Sequence, residues 1–363
     1  MSEIKRLLKP VPPGGVIGIM GGGQLGRMLA MAAARLGLNA AIYNDELNAP
    51  AFQVTPLQSA AAYDERNMLT GFAAICDAIT FEFENMPSQS IAYLASLKPL
   101  HPGQRALETT QDRLTEKSFV RSLGLRTAPF LAVSSREDAV KAFAEIGGPA
   151  ILKTRRLGYD GKGQARVTSA GETAQAFGNF KAAPSILEGF VDFAFEASVV
   201  AARSLDGKFA AYDPPENVHE HHILRRSIVP GRLSKGQADE AKAIARKIAD
   251  ALDYVGVLAV ELFVGKDGAL TVNEIAPRVH NSGHWTIEAC ACSQFEQHIR
   301  AVAGWPLGDP TRHADAVMEN IIGSEAHAWE SLARSGAIHL YGKREAKPGR
   351  KMGHMTRLNP LSK

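Results

Sequence analysis

Residues 16–26 read VIGIMGGGQLG, a short apolar run followed by three consecutive glycines and the start of a helical pattern. The 3.6-residue spacing of an amphipathic helix follows at Leu25, Met28, Leu29 and Leu36. Gly37 then ends the helical pattern. Further apolar runs at 40–43 and 78–83 predict two more strands. This βαβαβ order predicts a Rossmann-like domain, a parallel sheet with helices on both faces, that ends near residue 112.

The rest of the chain has a different pattern, which predicts further domains. Asp206-Gly207 lies between apolar runs and predicts a hairpin turn, and apolar spacing at 235–252 predicts an amphipathic helix. From Gly304 the chain becomes polar and rich in predicted loops. We therefore predict a protein of mixed α/β and α+β class. The predicted domains are 1–112, 113–303 (with subdomains 113–185 and 186–303) and 304–363.

Composition excludes several classes of protein. Of the 363 residues 45% are hydrophobic and 22% charged, which is ordinary globular usage rather than that of disordered or collagen-like chains. The net charge of +3 is too small for nucleic-acid binding by bulk charge. The apolar stretch after the basic N-terminus, Val16 to Met20, is too short for a signal-peptide core, and no apolar run approaches the length of a membrane span. Three cysteines cannot all pair with one another, so we expect buried, reduced thiols in a cytoplasmic protein with no nucleic-acid or membrane partner.

The glycine-rich loop after the first strand is a candidate anion site. GGGQLG fits the G-x-G-x-x-G pattern, in which backbone N–H groups and the helix dipole attract phosphate. Asp45 lies about 20 residues further on, where a dinucleotide site has its ribose-binding acid. A nicotinamide enzyme, another anion site and a purely structural tight turn all remain open on this motif.

A second glycine-rich segment, KTRRLGYDGKG at 153–163, lies between two predicted strands. Its glycines let the backbone close over a phosphate, while Lys153 and Lys162 supply charges for the oxygens of a polyphosphate. The alternative is an ordinary solvated basic hairpin.

Glu261 and Glu274 form the most informative pair of acids. The predicted strands 257–264 and 269–275 are joined by the four-residue hairpin loop GKDG. Pairing Val264 with Ala269 places Glu274 opposite Ala259, so that the two glutamates are diagonal neighbours on one face, roughly 7 to 8 Å apart at Cα. Two such carboxylates repel unless a cation joins them, and hard oxygen ligands suit magnesium. The alternative to a metal site is that both carboxylates lie on a solvent-exposed face of the sheet.

Three other clusters carry polar side chains. His280 and His284 lie in RVHNSGHW, a predicted ligand-binding loop without the spacing of H-E-x-x-H, so zinc is disfavoured. The histidines of HEHH (His219, His221 and His222) predict a solvated loop with one functional member. Five cations lie within 343–351, which predicts either a solvated tail or a phosphate clamp: Lys343, Arg344, Lys347, Arg350 and Lys351.

Taken together, these motifs resemble a known family. GGGQLGRM, FEFEN, KTRRLGYDGKGQ, ILEGFVDFAFE, PPENVH, VELF, NEIAPRVHNSGHW and KPGRKMGH are similar to segments of the 5-(carboxyamino)imidazole ribonucleotide synthetases, ATP-grasp ligases of purine biosynthesis. The resemblance covers nearly all of the chain after about Pro13. It implies a central ATP-grasp domain and a small β-rich C-terminal domain.

The resemblance also implies a reaction. ATP, bicarbonate and aminoimidazole ribonucleotide would react through carboxyphosphate to give the N-carboxylated nucleotide, ADP and phosphate, with Mg²⁺ as cofactor. The first glycine loop then serves the substrate rather than a dinucleotide. A homodimer is implied by the family alone.

The residues that match the family motifs fall into four groups. The implied ATP-binding residues are Arg113, Lys153, Gly158, Tyr159, Asp160, Gly161, Lys162, Gly163, Gln164, Glu188, Gly189, Phe190, Val191, Glu196, His219, Asn273 and Glu274. The implied catalytic residues are Arg278, His280, Asn281, Ser282, Tyr159 and Asp160. The implied substrate-binding residues are Gln24, Glu84, Lys343, Arg350 and Lys351. Glu261 and Glu274 would ligate magnesium, although strict strand alternation turns Asn273 to the opposite face.

Two other classes of protein remain alternatives. A nicotinamide dehydrogenase would use GGGQLG and Asp45 but would need neither a magnesium pair nor a second phosphate loop. A non-catalytic nucleotide-binding module would have no need of NEIAPRVHNSGHW beside such a pair. Titration with NAD(P)H tests the first alternative, and ATP turnover tests the second.

Overall fold

The computed structural model describes residues 9–158 and 162–362, and its N-terminal unit is a parallel sheet in the order β3-β2-β1-β4. The strands are β1 Val16–Met20, β2 Asn39–Asn44, β3 Leu57–Ala60 and β4 Ala78–Phe81. The helices are α1 Gln24–Arg35, α2 Arg66–Ala74, α3 Ser88–Leu97 and α4 Gln104–Thr110. The predicted Rossmann-like order is confirmed, with two corrections. Sequence reasoning missed β3, a partly exposed strand without apolar alternation, and the last strand ends at Phe81 rather than Phe83.

A second, smaller sheet begins the central part of the chain. Helix α5 (Arg113–Ser122) precedes it, and helices α6 (Arg136–Ile146) and α7 (Ala170–Asn179) cover it. Its order is β5-β8-β6-β7, with every pair antiparallel. The strands are β5 Phe130–Val133, β6 Ala150–Thr154, β7 Gln164–Val167 and β8 Ser185–Gly189. We call it the small sheet.

The remaining strands of the described residues form one antiparallel sheet, the large sheet, in the order β14-β13-β9-β11-β12-β15-β17-β16, with β10 also paired to β9. Its strands are β9 Phe193–Arg203, β10 Phe209–Ala211, β11 Glu216–Glu220, β12 Ile223–Val229, β13 Gly256–Gly265, β14 Leu270–Ala276, β15 Asp315–Ile322, β16 Ala337–Leu340 and β17 Lys351–Asn359. The helices are α8 Lys235–Ala251, α9 Thr286–Ala289, α10 Gln294–Val302 and α11 Trp329–Ala333. Single 3₁₀ segments span Pro50–Val54, Asn281–Gly283 and Gly323–Ala328.

The C-terminal part of the chain differs from the loop-rich segment that its polarity predicts. Strands β15, β16 and β17 lie there, and β15 pairs with β12, so they extend the large sheet. Polarity gave the wrong prediction because these strands alternate buried with half-buried positions, as in β15, and some of the half-buried positions carry polar residues. The mixed fold class is confirmed, while the boundaries at residues 112 and 303 stay a prediction.

Two apolar layers hold the large sheet. Helix α8 begins with a capping box between Ser234 and Gln237 and packs Ile244 and Ile248 against one face, near Val260. The opposite face shares a single buried cluster with α1, α10 and the N-terminal sheet. The small sheet has a core of its own. This division places the acid hairpin β13–β14 between two separately packed bodies.

Two smaller predictions concern whole-chain properties. Cys76, Cys290 and Cys292 are buried free thiols, as predicted. Among the described helices, none combines the length and apolar character needed to cross a bilayer.

Candidate active site

Glu261 and Glu274 lie directly opposite each other on β13 and β14. The predicted register was wrong by one residue at the loop, where Val264 pairs with Leu270 rather than with Ala269, and by one more residue at a β-bulge, beyond which Ala259 pairs with Ala276 rather than with Glu274. The extra residue is Asn273, between Val272 and Glu274. A bulge interrupts alternation and re-aims side chains, so the prediction that Asn273 faces away from the acids no longer follows.

Side chains of α5 satisfy the backbone of this bulge. The Glu116 carboxylate accepts a hydrogen bond from the Ile275 N–H at 2.6 Å, and the Lys117 Nζ donates to the Asn273 carbonyl at 3.2 Å. Both side chains are buried. Sequence reasoning missed them, because adjacent charges in a helix look like part of a solvated face.

Each acid of the pair has a cationic or hydrogen-bonding partner of its own. His280 Nε2 lies 3.1 Å from Glu261 Oε1, and Arg113 Nη1 lies 3.2 Å from Glu274 Oε2. Burial would raise the pKa of Glu261, but the hydrogen bond with His280 outweighs burial and lowers that pKa to about 2. The Glu261 carboxylate can therefore ligate a cation.

Arg113 also reaches the second glycine loop, where its Nη2 donates to the Gly158 carbonyl at 3.2 Å. Lys162, Gly163 and Gln164 close the described part of this loop, and Gln164 begins β7. The predicted site residues Tyr159, Asp160 and Gly161 lie outside the described residues.

Two lysines share one buried carboxylate below the loop. Lys153 Nζ lies 3.0 Å and Lys117 Nζ 3.3 Å from Glu188 Oε2. Burial would raise the pKa of Glu188, but the charges of Lys153 and Lys117 outweigh burial and keep that pKa below its usual range. Lys153 is thus held by a buried carboxylate.

The segment 189–192, which follows Glu188, connects the small sheet to the large sheet. Gly189 ends β8, and Phe190, Val191 and the start of β9 follow. Phe190 is half exposed, with the Arg166 guanidinium 4.9 Å from its ring centroid. The exposed face of Phe190 is available to a planar ligand.

Glu196 and His219 contact each other across β9 and β11 through Glu196 Oε2 and His219 Nδ1. Burial would lower the pKa of His219, but its hydrogen bond with Glu196 outweighs burial and raises that pKa. His221 and His222 take positive φ angles in the following turn, and His222 Nδ1 lies 3.4 Å from Nε2 of Gln164, another predicted site residue.

The first glycine loop already binds a carboxyl group of the protein itself. The Gly23 N–H donates to Glu82 Oε1 at 2.7 Å, and the Gly22 N–H donates to Asn44 Oδ1 at 2.8 Å. A Cβ on Gly23 would lie 2.9 Å from that carboxylate oxygen. Glu82 is therefore the residue that the dinucleotide interpretation missed, because its carboxylate takes the place of a pyrophosphate. Asp45, the proposed ribose acid, is exposed.

The loop after β14 brings the N-terminal sheet to the acids. Arg278 Nε forms an ion pair of 2.5 Å with Glu84 Oε1, which comes from the FEFEN segment. The 3₁₀ turn Asn281–Gly283 follows, and the Asn281 side chain exchanges two hydrogen bonds with Asn320 of β15 at 3.0 and 2.7 Å. His284 turns into the core beside Phe295 and His354, away from His280.

The C-terminal cations line a turn before β17. Lys343 Nζ donates to the Lys351 carbonyl at 2.7 Å and lies 5.6 Å from the Tyr341 ring centroid. Arg350 donates to the Glu345 carbonyl at 3.2 Å. The charge of Lys343 acts on the carboxyl of Glu82, and that of Lys351 acts on Glu261. Lys343 and Lys351 therefore lie within electrostatic reach of these two acids, whereas Arg344 and Lys347 are exposed. Gln24 begins α1.

Family descriptions match three successive parts of the chain. A ribonucleotide synthetase preATP-grasp domain matches residues 15–111, an ATP-grasp domain matches residues 118–295, and a phosphoribosylaminoimidazole carboxylase C-terminal domain matches residues 316–361.

Individual proteins match over nearly the whole length. The N5-carboxyaminoimidazole ribonucleotide synthase of Brucella melitensis biotype 1 is 53% identical over 352 residues, 96% of this chain and 97% of that protein. A solved N5-carboxyaminoimidazole ribonucleotide synthetase, an ADP complex, superposes with a TM-score of 0.93 at 41% identity, covering 97% of this chain and 94% of the other. The Aspergillus clavatus synthase in complex with ADP and 5-aminoimidazole ribonucleotide gives 0.89 at 32% identity, covering 96% and 94%.

Proposed function

The chain belongs to the N5-carboxyaminoimidazole ribonucleotide synthase family of ATP-grasp ligases, and from that premise we propose how its own residues divide the reaction. It is an ATP-dependent ligase of purine biosynthesis that forms a carbon–nitrogen bond on 5-aminoimidazole ribonucleotide. We propose bicarbonate as the source of carbon.

The proposed reaction has two steps. A bicarbonate oxygen attacks the γ-phosphorus of ATP, the bond to the β-phosphate oxygen breaks, and ADP leaves carboxyphosphate behind. Carboxyphosphate releases CO₂ and phosphate, and the exocyclic amine of the ribonucleotide attacks the CO₂ carbon and loses a proton. Phosphoryl transfer of this kind depends on positioning and on neutralisation of charge.

The observation that carries the proposal is the directly opposed pair Glu261 and Glu274. The register places the two acids opposite each other. His280 contacts Oε1 of Glu261 and Arg113 contacts Oε2 of Glu274, so each side chain also offers a second oxygen. This all-oxygen donor set fits Mg²⁺. Bound there, Mg²⁺ would neutralise charge on the β- and γ-phosphates.

We assign the polyphosphate to the cations around the second glycine loop. Arg113, Lys153 and the loop residues Gly158, Lys162 and Gly163 would hold its oxygens. Lys153 would leave Glu188 for a phosphate, and Lys117 would remain to balance the buried carboxylate. The strip Glu188, Gly189, Phe190 and Val191 would hold the adenine, and Glu196 with His219 the ribose.

We assign bicarbonate to the turn above the acid hairpin. Arg278 offers a planar fork for an oxyanion, and Glu84 fixes its direction. His280, Asn281 and Ser282 surround the same point, each held by hydrogen bonds from the large sheet or from its own turn. Exclusion of water at this point would protect carboxyphosphate from hydrolysis.

The ribonucleotide substrate would lie between the N-terminal and C-terminal elements. Lys343, Arg350 and Lys351 supply positive charge for its phosphate, while Gln24 and Glu84 face it from the N-terminal sheet. We also propose a homodimer, which family resemblance supports, and a cytoplasmic location, which the free thiols support.

Release of ADP tests this function. We expect turnover that requires ATP, Mg²⁺, bicarbonate and 5-aminoimidazole ribonucleotide together, and that falls to background when any one is omitted. NAD(P)H should give no binding signal in a fluorescence titration. Turnover with an amino acid or a peptide as acceptor, and none with the imidazole nucleotide, would overturn the assignment.

A further inference from the structure

A row of polar side chains crosses the large sheet beneath the bicarbonate turn. Ser198 on β9 pairs with Glu261 on β13, and Ser227 on β12 pairs with Asn217 on β11. The side chains of Ser198, Asn217 and Ser227 are buried, with at most 5% of each residue exposed. A buried polar row on an otherwise apolar sheet is costly unless every group in it is paired.

The row is joined by hydrogen bonds that run in one direction. Ser227 Oγ donates to Asn217 Oδ1 at 2.8 Å, and Asn217 Nδ2 donates to Ser198 Oγ at 2.9 Å. Ser198 Oγ donates to Ser282 Oγ at 2.7 Å. Ser282 Oγ lies 2.9 Å from His280 Nδ1 and has its own proton left to donate there.

A backbone group supports the same direction independently. The Ser282 N–H points at His280 Nδ1 from 3.3 Å, so that nitrogen must present a lone pair to both groups. If Nδ1 carried the proton, it would face the Ser282 N–H as a second donor. The Asn217 amide sets the direction of the hydrogen bonds in the row, since its oxygen accepts from Ser227 and its nitrogen donates to Ser198.

We propose that Ser198, Asn217 and Ser227 are positioning residues that hold His280 in the tautomer with its proton on Nε2. The tautomer itself is inferred from the hydrogen bonds alone, whereas its effect on catalysis rests on the proposed function. The Nε2–H then donates to Glu261 Oε1. His280 thus fixes the direction of the Glu261 carboxylate, and its Nε2 accepts no proton from bicarbonate while that bond is made.

Asn217→Asp tests the polarity with a side chain of nearly the same shape. The new carboxylate has no N–H, so it accepts from both Ser227 and Ser198, and the Ser198 proton turns away from Ser282. Ser282 then donates to Ser198 instead of to His280 Nδ1. We expect the share of the Nδ1–H tautomer to rise about tenfold, the effect of one hydrogen bond to a charged group.

Side-chain NMR of histidine-labelled protein measures that share directly. Spectra of the full chain would be recorded near pH 8.5, above the ordinary pKa of imidazole, and the His280 signal would be assigned by its loss in His280→Gln. Ser185→Ala is the matched control, because Ser185 is an equally buried serine whose hydroxyl donates to Ala183 outside the row. It should leave the His280 signal unchanged.

A second pair of variants keeps the test open if Asn217→Asp does not fold. Ser227→Ala removes the donor that fixes the Asn217 amide, while Ser227→Thr keeps the hydroxyl. We expect a tautomer mixture and a roughly tenfold lower kcat for the alanine variant, with KM for ATP changed less than about twofold, and recovery in the threonine variant.

The outcomes separate cleanly. An unchanged His280 tautomer in both Asn217→Asp and Ser227→Ala overturns the inference, even if kcat falls, because the row would then be structural only. A changed tautomer in a protein that releases no ADP with the ribonucleotide would leave the inference standing and overturn the proposed function instead.

Discussion

At the scale of single residues, the site depends on two glutamates that lie directly opposite each other. Each is held by a neighbour from a different part of the chain, since Arg113 begins α5 and His280 follows β14. Burial of the Glu261 carboxyl therefore does not neutralise it. A divalent cation between these acids would complete the charge balance.

Glu261→Gln and Glu274→Gln should each lower turnover by about 100-fold or more, because an amide keeps the shape but loses the charge that binds Mg²⁺. Excess Mg²⁺ should restore activity only in part. Initial rates of ADP release at several Mg²⁺ concentrations measure the effect.

Glu319→Gln serves as the matched control, because Glu319 lies on the same sheet in a surface ion pair with Arg357. Its turnover should match that of the unchanged protein. Full activity in both Glu261→Gln and Glu274→Gln would show that the metal binds elsewhere.

Glu116 provides a pH-dependent prediction. Burial and the nearby charge of Glu274 raise the pKa of the Glu116 carboxyl to about 8. In the unfolded chain a glutamate has a pKa of roughly 4.3, so between these two values the folded state binds more protons. The free energy of unfolding of the metal-free protein should therefore fall as pH rises through this window.

Glu116→Gln should remove this fall while keeping the acceptor for the Ile275 N–H. Urea unfolding of the metal-free protein at about pH 5, 6.5 and 8, around the pKa values above, would measure the slope. An identical slope in the variant and the unchanged protein would contradict the assignment of Glu116 as the titrating group.

At the scale of elements, the bulge in β14 shows what pattern analysis can and cannot find. Apolar alternation located both strands and both acids, because each strand is buried on at least one face. It could not locate Asn273 as an extra residue, since a bulge depends on partners in α5 that are distant in sequence. The same holds for Glu82, whose role appears only once β4 lies beside the glycine loop.

Family resemblance added what periodicity could not supply. The β-rich character of the C-terminal segment was implied by the matching motifs, whereas polarity alone predicted loops. Residue roles such as those of Glu196 and His219 also depended on motif matching. The positions of these two residues in the sequence, near the ends of predicted strands, do not indicate the ribose-binding role proposed for them.

Helix α8 allows a prediction about stability alone. Ser234 Oγ accepts from the Gln237 N–H, and the Gln237 side chain accepts from the Ser234 N–H. Ser234→Ala should lower the free energy of unfolding by about 1 kcal/mol, measured by urea denaturation, without changing kcat. Lys235→Ala should cost less, because its ion pair with Asp239 is fully solvated. Equal effects would argue against the cap.

At the scale of the whole molecule, the small sheet is packed separately from the other two sheets. The N-terminal sheet, the large sheet and the C-terminal strands share one buried cluster, while the small sheet has a separate core. Lys153 and the second glycine loop belong to the small sheet, and the acid pair belongs to the large sheet. On the proposed function, ATP would therefore contact both sheets.

Lys343→Ala and Arg350→Ala should raise the KM for the ribonucleotide by roughly ten- to a hundredfold while the KM for ATP barely moves. Lys153→Ala should do the reverse and also lower kcat. Initial-rate kinetics with each substrate varied in turn distinguish the two ends of the site. An ATP defect in the Lys343 and Arg350 variants would contradict the phosphate assignment.

The continuity of the large sheet links the two ends of the proposed site. Backbone hydrogen bonds connect β13, which carries Glu261, to β17, which begins at Lys351, through every strand between them. A shift of one strand must therefore be passed on to its hydrogen-bonded neighbours. On the proposed function, the metal end and the phosphate end of the site thus belong to one mechanically continuous sheet.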